Sequence, residues 1–155
     1  MKTTEKPKVL YLDDDEGNLI SFTANFRNHF SILTSSDPME ALEMIKKEEI
    51  QVAITDQNMP KITGVEFLEK LANDHPKVQR VLITGQMNPI AMIEAVNRGK
   101  VCNIITKPFN LKEIQSAIYL AFENFKLKRE RENAIKKLAK QNEQFEFMLR
   151  QQLLS

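Results

Sequence analysis

Short apolar runs alternate along the chain with segments whose apolar residues recur every three or four positions. Five of these runs have the composition of buried strands, and turn residues or helix-capping residues follow them. The predicted strands cover residues 9–12, 31–34, 52–56, 79–83 and 101–106. Helix and strand alternate five times over roughly 125 residues, which indicates a parallel sheet with helices on both faces.

The segments between the strands carry helix start signals and apolar faces. Asp37–Pro38 opens the second helix as N-cap and first helical residue, and Asn88–Pro89 opens the fourth. Gly99 is predicted to stop the fourth helix. The residues at helical spacing are Leu19, Phe22, Phe26 and Phe30 in the first helix, Met39, Leu42 and Ile45 in the second, Val65, Phe67, Leu68 and Leu71 in the third, and Ile90, Ile93 and Val96 in the fourth.

The fifth helix is predicted to be much longer than the others. Asn110 and Glu113 form its capping box, and residues 112–152 contain no glycine and no proline. Its first part is expected to dock on the sheet through Ile114, Ile118, Ala121 and Phe125. Beyond residue 125 the apolar spacing alternates between three and four, as coiled-coil a and d positions do, at Ile135, Leu138, Asn142, Phe145 and Leu149.

This pattern divides the chain into three parts. Residues 1–8 are predicted to be a disordered leader, residues 9–125 an α/β domain, and residues 126–155 a helical extension. Residues 126–140 hold seven basic side chains against two acidic ones, so the extension is locally basic. We interpret it as a coiled coil that pairs two copies of the chain, or as a linker to an output module. A solvated helix that frays at its end is the alternative.

Composition narrows the class of protein. The chain has 155 residues, of which 42% are hydrophobic and 28% charged, and this suits one globular domain with an appendage. A formal net charge of +1 gives no reason to expect nucleic-acid binding, and no apolar run approaches membrane-spanning length. The single Cys102 excludes an intramolecular disulfide and suits a reducing compartment. We therefore expect a cytoplasmic protein that contacts neither nucleic acid nor membrane.

Polar side chains follow or end four of the five predicted strands. They are Asp13 and Asp14 after the first, Asp56 at the end of the third, Thr84 after the fourth and Lys107 after the fifth. Since the carboxyl ends of parallel strands meet at one edge of a sheet, we expect these side chains to lie together. Carboxylates gathered there repel one another unless a divalent cation or a lysine joins them, and oxygen ligands suit Mg²⁺. A carboxylate beside such cations can attack a phosphoryl group.

Four motifs make residues 8 to about 125 resemble the receiver domain of two-component response regulators. They are Leu-Asp-Asp-Asp at 12–15, Asp-Gln-Asn-Met-Pro-Lys-Ile-Thr-Gly at 56–64, Ile-Thr-Gly at 83–85 and Thr-Lys-Pro-Phe at 106–109. The resemblance implies a flavodoxin-like, doubly wound sheet of five parallel strands in the order 2-1-3-4-5. It also implies a histidine kinase or a phosphotransfer protein as the partner that supplies the phosphoryl group.

The resemblance implies a role for each residue at the predicted edge. Asp56 is the phosphoacceptor, and Thr84 and Lys107 bind the phosphoryl oxygens and drive the switch. The implied Mg²⁺ ligands are Asp13, Asp14, Asp56 and the Asn58 carbonyl. The Lys107–Pro108 peptide is expected to be cis.

One position departs from the family pattern. Ile104 stands where the family often has Tyr or Phe, three residues before the lysine, so the readout is expected to run through the loop after Thr84 or through the fifth helix. Asn58 and Gln86 occupy positions that commonly tune the lifetime of the phosphoryl group.

Three functions are compatible with these residues. The leading prediction is a phosphorylation-dependent signalling switch with no enzymatic activity beyond its own phosphoryl transfer and autodephosphorylation. A non-phosphorylated dimerisation or scaffold module would not need an intact Asp56, Thr84 and Lys107. A Mg²⁺-dependent phosphohydrolase with an aspartyl-phosphate intermediate usually has a second Asp two residues after the nucleophile, where this chain has Asn58.

Overall fold

Five short strands form one parallel sheet, and the apolar runs of its three central strands are buried on both faces. The computed structural model describes residues 5–85 and 88–154, and the sheet order is β2-β1-β3-β4-β5. The strands are β1 (Lys8–Leu12), β2 (Ser31–Ser35), β3 (Val52–Asp56), β4 (Gln79–Thr84) and β5 (Asn103–Thr106). The helices are α1 (Glu16–Phe26), α2 (Pro38–Lys47), α3 (Gly64–Asp74), α4 (Pro89–Glu94) and α5 (Leu111–Leu154), and a π-helical turn, Ala95–Gly99, follows α4. The predicted doubly wound fold and strand order are confirmed.

The chain divides into two compact units between Phe125 and Lys126. The first unit contains the sheet, α1 to α4 and the first part of α5, and the described part of the second unit is helical up to Leu154. None of the helices in the described part of the chain is long and apolar enough to cross a membrane.

The sheet separates two apolar layers, since successive side chains of a strand point to opposite faces. Val9 and Tyr11 of β1 belong to the layer that contains α1 and the first part of α5, whereas Leu10 and Leu12 belong to the layer that contains α2 and α3. The predicted inward residues that are buried are Leu19, Phe22, Phe26, Leu42, Ile45, Val65, Phe67, Leu68, Leu71, Ile114, Ile118, Ala121 and Phe125. Phe30 is also buried, although it lies beyond the end of α1.

Two predictions about buried helix faces differ from the structure. Met39 lies in the first turn of α2 and is 62% exposed, and Pro38 and Ala41 are the buried residues at this end of the helix. In the α4 segment, apolar spacing predicted a helix correctly, but the apolar residues at that spacing are not buried. The exposed fractions are 76% for Ile90, 60% for Ile93 and 55% for Val96. The small residues Ala95 and Gly99 are buried instead, in the π-helical turn that packs against α3.

The α4 segment also ends differently from the prediction. Gly99 does not have a positive φ; Lys100 is the left-handed residue, with φ of 47°. Arg80 explains why the chain turns there, because its Nε donates to the Gly99 and Lys100 carbonyls at 3.1 and 3.2 Å. β5 begins at Asn103, two residues later than predicted. The preceding residue, Cys102, donates its backbone N–H to the Arg80 carbonyl.

Candidate functional site

Parallel pairing brings the carboxyl ends of the central strands to one edge. Leu12 pairs with Thr55, and Asp56 pairs with Ile83. At the other side of β4, Thr84 pairs with Thr106. The polar residues that end or follow these strands are Asp13, Asp14, Asp56, Thr84 and Lys107.

Three of the predicted carboxylates form a cluster at this edge. One oxygen from each of Asp13, Asp14 and Asp56 can be chosen so that all lie within 4.8 Å of one another. Asp13 and Asp56 are buried and Asp14 is exposed, so the cluster opens to solvent on the Asp14 side. Carboxylates this close repel one another strongly when all are ionised.

Asp13 is held in place by three donors. The Tyr11 hydroxyl donates to Oδ2 at 2.7 Å, the Asn18 side-chain amide donates to the same oxygen at 3.0 Å, and the Asp15 N–H donates to Oδ1 at 3.0 Å. Burial, together with the hydrogen bond to Asp13, raises the pKa of Tyr11, so its hydroxyl remains a donor. This network was not predicted. The available signal was that Tyr11 and Asp13 are two residues apart and therefore point to the same side of the strand.

Asp56 pairs with Lys107 across the site. Its Oδ1 lies 2.9 Å from the Lys107 Nζ. Burial raises the pKa of Asp56, the Asp13 and Asp14 carboxylates raise it further, and Lys107 opposes both effects. The net shift is upward, so ionised Asp56 is still under-compensated in this arrangement.

Lys107 reaches the cluster from a loop whose backbone is fixed on both sides. Its N–H donates to the Thr84 carbonyl at 2.9 Å, which ties the end of β5 to the end of β4. The peptide that joins it to Pro108 is cis, as predicted. The Glu113 N–H then donates to the Asn110 side chain at 2.9 Å, so the predicted cap of α5 is present.

The loop between β3 and α3 is built closely around the Asp56 backbone. The Gly64 N–H donates to the Gln57 carbonyl at 3.0 Å, and the Val65 N–H donates to the Gln57 side-chain Oε1 at 2.9 Å. A Cβ on Gly64 would lie 2.5 Å from the Asp56 carbonyl oxygen. Asn58 lies in this loop and is exposed. Sequence reasoning identified the glycine as a strand breaker but missed the capping role of Gln57.

Thr84 and Ile104 lie next to α4. Both line a small cavity, together with Gln57, Leu82, Ala91 and Met92. Thr84 is buried, whereas the two α4 residues are only half-buried. Gln86, the other position of interest in this loop, lies outside the described residues. The packing around Thr84 is therefore looser on its α4 side than within the sheet.

The donor chemistry of the cluster suits a hard divalent cation. Three carboxylates face one ammonium, which leaves two negative charges when all four groups are ionised. The groups that could bind an ion are oxygens, and one of the carboxylates is already oriented by hydrogen bonds. Oxygen ligands with an open, solvated side are the arrangement that Mg²⁺ accepts, because it retains several waters. The residues present therefore fit Mg²⁺.

Comparison with known proteins identifies the family. A model of the response regulator receiver domain matches residues 9–119. The chain belongs to this family. Receiver domains are signalling modules of two-component systems rather than enzymes in their own right, they typically bind Mg²⁺ through an acidic pocket, and they interact with histidine kinases or phosphotransfer proteins. This receiver is therefore a phospho-signalling module.

Individual relatives differ in how much of their length matches. The hydrogenase transcriptional regulatory protein HoxA of Cupriavidus necator is 31% identical over 101 residues, which are 65% of this chain but only 21% of that protein. The probable chemotaxis protein CheY of Rhizobium etli is 27% identical over 125 residues, which are 79% of this chain and 97% of that protein. A crystal structure of adenylate cyclase from Rhodopirellula baltica superimposes with a TM-score of 0.80 at 29% identity, covering 86% of this chain and 99% of that one. This receiver thus spans about a fifth of the hydrogenase regulator and nearly all of the chemotaxis protein.

Proposed function

We propose that this receiver is a phosphorylation-dependent switch whose phosphoacceptor is Asp56. One observation carries the proposal: a buried carboxylate at the end of β3 has an ammonium 2.9 Å away on one side and two further carboxylates on the other. A carboxylate whose only role was to begin a turn would require neither the ammonium nor the other two carboxylates. The phosphoryl donor is the phosphohistidine of a histidine kinase or a phosphotransfer protein.

The transfer is a displacement at phosphorus. A carboxylate oxygen of Asp56 forms the new O–P bond, the P–N bond of phosphohistidine breaks, and the imidazole keeps the electron pair and takes up a proton. The product is an aspartyl phosphate. Nearby positive charge speeds such a reaction because it neutralises the charge carried by the equatorial oxygens.

The residues around Asp56 divide the remaining tasks. The Lys107 ammonium places a positive charge next to the Asp56 carboxylate. Once that carboxylate is phosphorylated, the same ammonium can bind a phosphoryl oxygen. Thr84 is the last residue of β4, and in this proposal its hydroxyl hydrogen-bonds the same group. The Mg²⁺ ligands in this proposal are Asp13, Asp14, Asp56 and the Asn58 carbonyl. When bound, Mg²⁺ neutralises the carboxylates and the incoming phosphoryl oxygens.

A cavity beside Lys107 suits the docking of the donor protein. It has a volume of about 340 Å³ and lies between α1 and the start of α5. Its lining includes polar side chains of α1 (Asn18, Ser21 and Asn25) and the aromatic ring of Phe109. Polar groups around an aromatic centre are typical of a transient protein interface. Ser21→Arg is expected to slow transfer from a phosphorylated histidine kinase and to leave labelling by acetyl phosphate unchanged.

The conformational readout in this proposal passes from Thr84 to α4. Movement of Thr84 toward the phosphoryl group changes the shape of the cavity that Ala91 and Met92 cover. α4 has no buried residue, whereas the turn after it buries Ala95 and Gly99, and its exposed Arg98 pairs with Glu69 at 2.6 Å. A helix fixed at one end and loosely packed at the other can change its position at low cost.

Slow hydrolysis of the aspartyl phosphate resets the switch. Water is the nucleophile in this step, and the products are inorganic phosphate and the free carboxylate. Asn58 cannot act as a general acid or base, so we expect single turnovers without sustained hydrolysis of added phosphate esters.

Intact mass spectrometry tests the proposal. With Mg²⁺ and acetyl phosphate, or with phosphoramidate as a probe that contains a P–N bond, the mass of the chain is expected to increase by one phosphoryl group. Asp56→Asn is expected to abolish this gain. Labelling that persists in Asp56→Asn would contradict the proposal.

A matched pair of variants separates the metal site from the general acidity of the 13–16 run. Asp14→Asn removes a member of the carboxylate cluster and is expected to prevent labelling at limiting Mg²⁺. Asp15→Asn changes the neighbouring residue, which caps α1 by accepting from the Gly17 and Asn18 N–H groups. Asn is an equally good cap, so Asp15→Asn is expected to be labelled normally. Equal behaviour of the two variants would refute the assignment of Asp14.

A further inference from the structure

The second unit, residues 126–155, exposes apolar side chains at regular intervals. Nine large apolar side chains are exposed among its described residues, and four of them, Ile135, Leu138, Phe145 and Leu149, recur at intervals of three, seven and four. They fit a heptad register in which Ile135 and Leu149 are a positions and Leu138 and Phe145 are d positions. The segment from 134 to 153 is 20 residues long, which is about 30 Å of helix. A single helix gains little stability in water without a partner for such a face.

The charges of this segment are segregated from the apolar face. Residues 134–153 contain six charged side chains, and none of them falls at an a, d or g position. The b, c and f positions hold Lys136, Lys137, Lys140, Glu143 and Arg150, and Glu146 is at e. A helix that only needed to be solvated would carry its charges on every side. The uncharged side is therefore suited to a protein surface.

The residue types on this face specify how many helices meet there. Ile135 at a with Leu138 at d favours two strands. Asn142 is at an a position in the middle of the segment, where a polar side chain lowers stability but fixes register and favours two strands. Ala134 and Ala139 flank the first of these layers and allow the two backbones to approach closely.

Asn142 also specifies direction. In a parallel pair, equivalent a positions meet, so the two Asn142 amides can hydrogen-bond each other. In an antiparallel pair an a position faces a d position, which would place Asn142 against an apolar side chain and leave its buried amide without a partner. An unpaired buried amide is costly, so the parallel arrangement is favoured.

We propose that residues 134–153 form a parallel two-stranded coiled coil with a second copy of this chain, in the register set by Asn142. The apolar face is covered by the same segment of the second copy. The buried Asn142 amide finds a hydrogen-bonding partner only in another Asn at the same height. This inference does not depend on phosphorylation of Asp56.

Charge gives the pair a characteristic salt response. Parallel pairing places the basic stretch 126–140 of one copy at the same height as that of the other, so their net positive charges repel and screening strengthens the dimer. Antiparallel pairing about the same segment would place the two basic stretches at opposite ends of the pair, so screening would have a smaller effect. Raising the salt concentration from about 0.05 to about 0.5 M is expected to tighten the parallel dimer.

Sedimentation of the full chain over a range of concentrations tests the pairing. The unmodified chain is expected to show a monomer–dimer equilibrium. Leu138→Glu puts two carboxylates into the d layer and is expected to weaken the dimer by more than about a hundredfold. Lys137→Glu changes the neighbouring c position and is expected to retain it. A monomer at all concentrations, or a dimer that survives Leu138→Glu, would overturn the proposal.

Disulfide trapping tests the direction. Leu138→Cys in a Cys102→Ser background is expected to crosslink under mild oxidation, since equivalent d positions meet in a parallel pair. In an antiparallel pair centred on the same segment, the two 138 positions are about 16 Å apart along the axis, too far for a disulfide. Lys140→Cys, at an f position, is the control and is expected to remain a thiol. A dimer that forms without the 138 crosslink would refute the parallel arrangement.

Discussion

Gly64→Ala tests how tightly the loop between β3 and α3 is packed around Asp56. The new Cβ would lie 2.5 Å from the Asp56 carbonyl oxygen, 2.8 Å from the Leu82 Cδ1 and 3.0 Å from the Gln57 Cα. A carbon and a carbonyl oxygen normally remain about 3.3–3.6 Å apart. Two of the three neighbours are backbone atoms, so the loop must move by most of an ångström to relieve the contact.

Overpacking of this kind costs about 1–3 kcal/mol. Gly64 is the first residue of α3 and has no positive φ, so the gain in helix propensity is less than about 1 kcal/mol and does not reverse the sign. We expect Gly64→Ala to lower the free energy of unfolding by about 1–2 kcal/mol, measured by urea denaturation. Labelling of Asp56 by acetyl phosphate should also slow, because the strained carbonyl belongs to Asp56, the proposed phosphoacceptor.

Gly85→Ala is the matched control. A Cβ at Gly85 meets no described atom within 4 Å, and this glycine has no positive φ. Its free energy of unfolding is expected to stay within about 0.5 kcal/mol of the unmodified value. If Gly64→Ala were as stable as Gly85→Ala, the prediction that a Cβ at Gly64 clashes with the end of β3 would be wrong.

Three further predictions concern stability. Without Mg²⁺, the raised pKa of Asp56 means that stability declines as pH rises through that pKa, so Asp56→Asn should raise the melting temperature at neutral pH and flatten the decline. Mg²⁺ at a hundred times its dissociation constant should stabilise the unmodified chain by about 2.7 kcal/mol, and a thermal shift that persists in Asp14→Asn would count against these ligands. Arg80→Lys should cost about 1–3 kcal/mol in urea denaturation, because lysine cannot reproduce the donors that reach four carbonyls.

Much of the fold was predictable from the sequence because it depends on pattern. Continuous apolar runs identified the buried strands, and the capping residues Asp37, Asn88 and Asn110 located three helix starts. The carboxylate cluster was predictable for a topological reason, since parallel strands deliver their carboxyl ends to one edge whatever the details of packing. No side-chain distance was needed for that step.

Features that depend on specific contacts were not predictable. The spacing of Tyr11 and Asp13 places both side chains on the same side of β1, but it does not show that the Asn18 amide in the first turn of α1 donates to the same carboxylate oxygen. Arg80 is buried near the start of β4, although a charged residue there suggests an exposed strand end. Burial lowers the pKa of Arg80, and backbone carbonyls satisfy its side chain instead of a carboxylate. On α4, Ala95 and Gly99 make the buried contact, and small residues give no apolar signal.

Mapping the modified residue tests the central claim most directly. The chain is treated with Mg²⁺ and acetyl phosphate, the acyl phosphate is reduced with borohydride to mark its position, and peptides are sequenced by tandem mass spectrometry. The phosphoacceptor assignment predicts that Asp56 carries the mark, and that omitting Mg²⁺ removes it. A mark on Asp13 or Asp14, or no mark on a chain whose mass has increased, would contradict it.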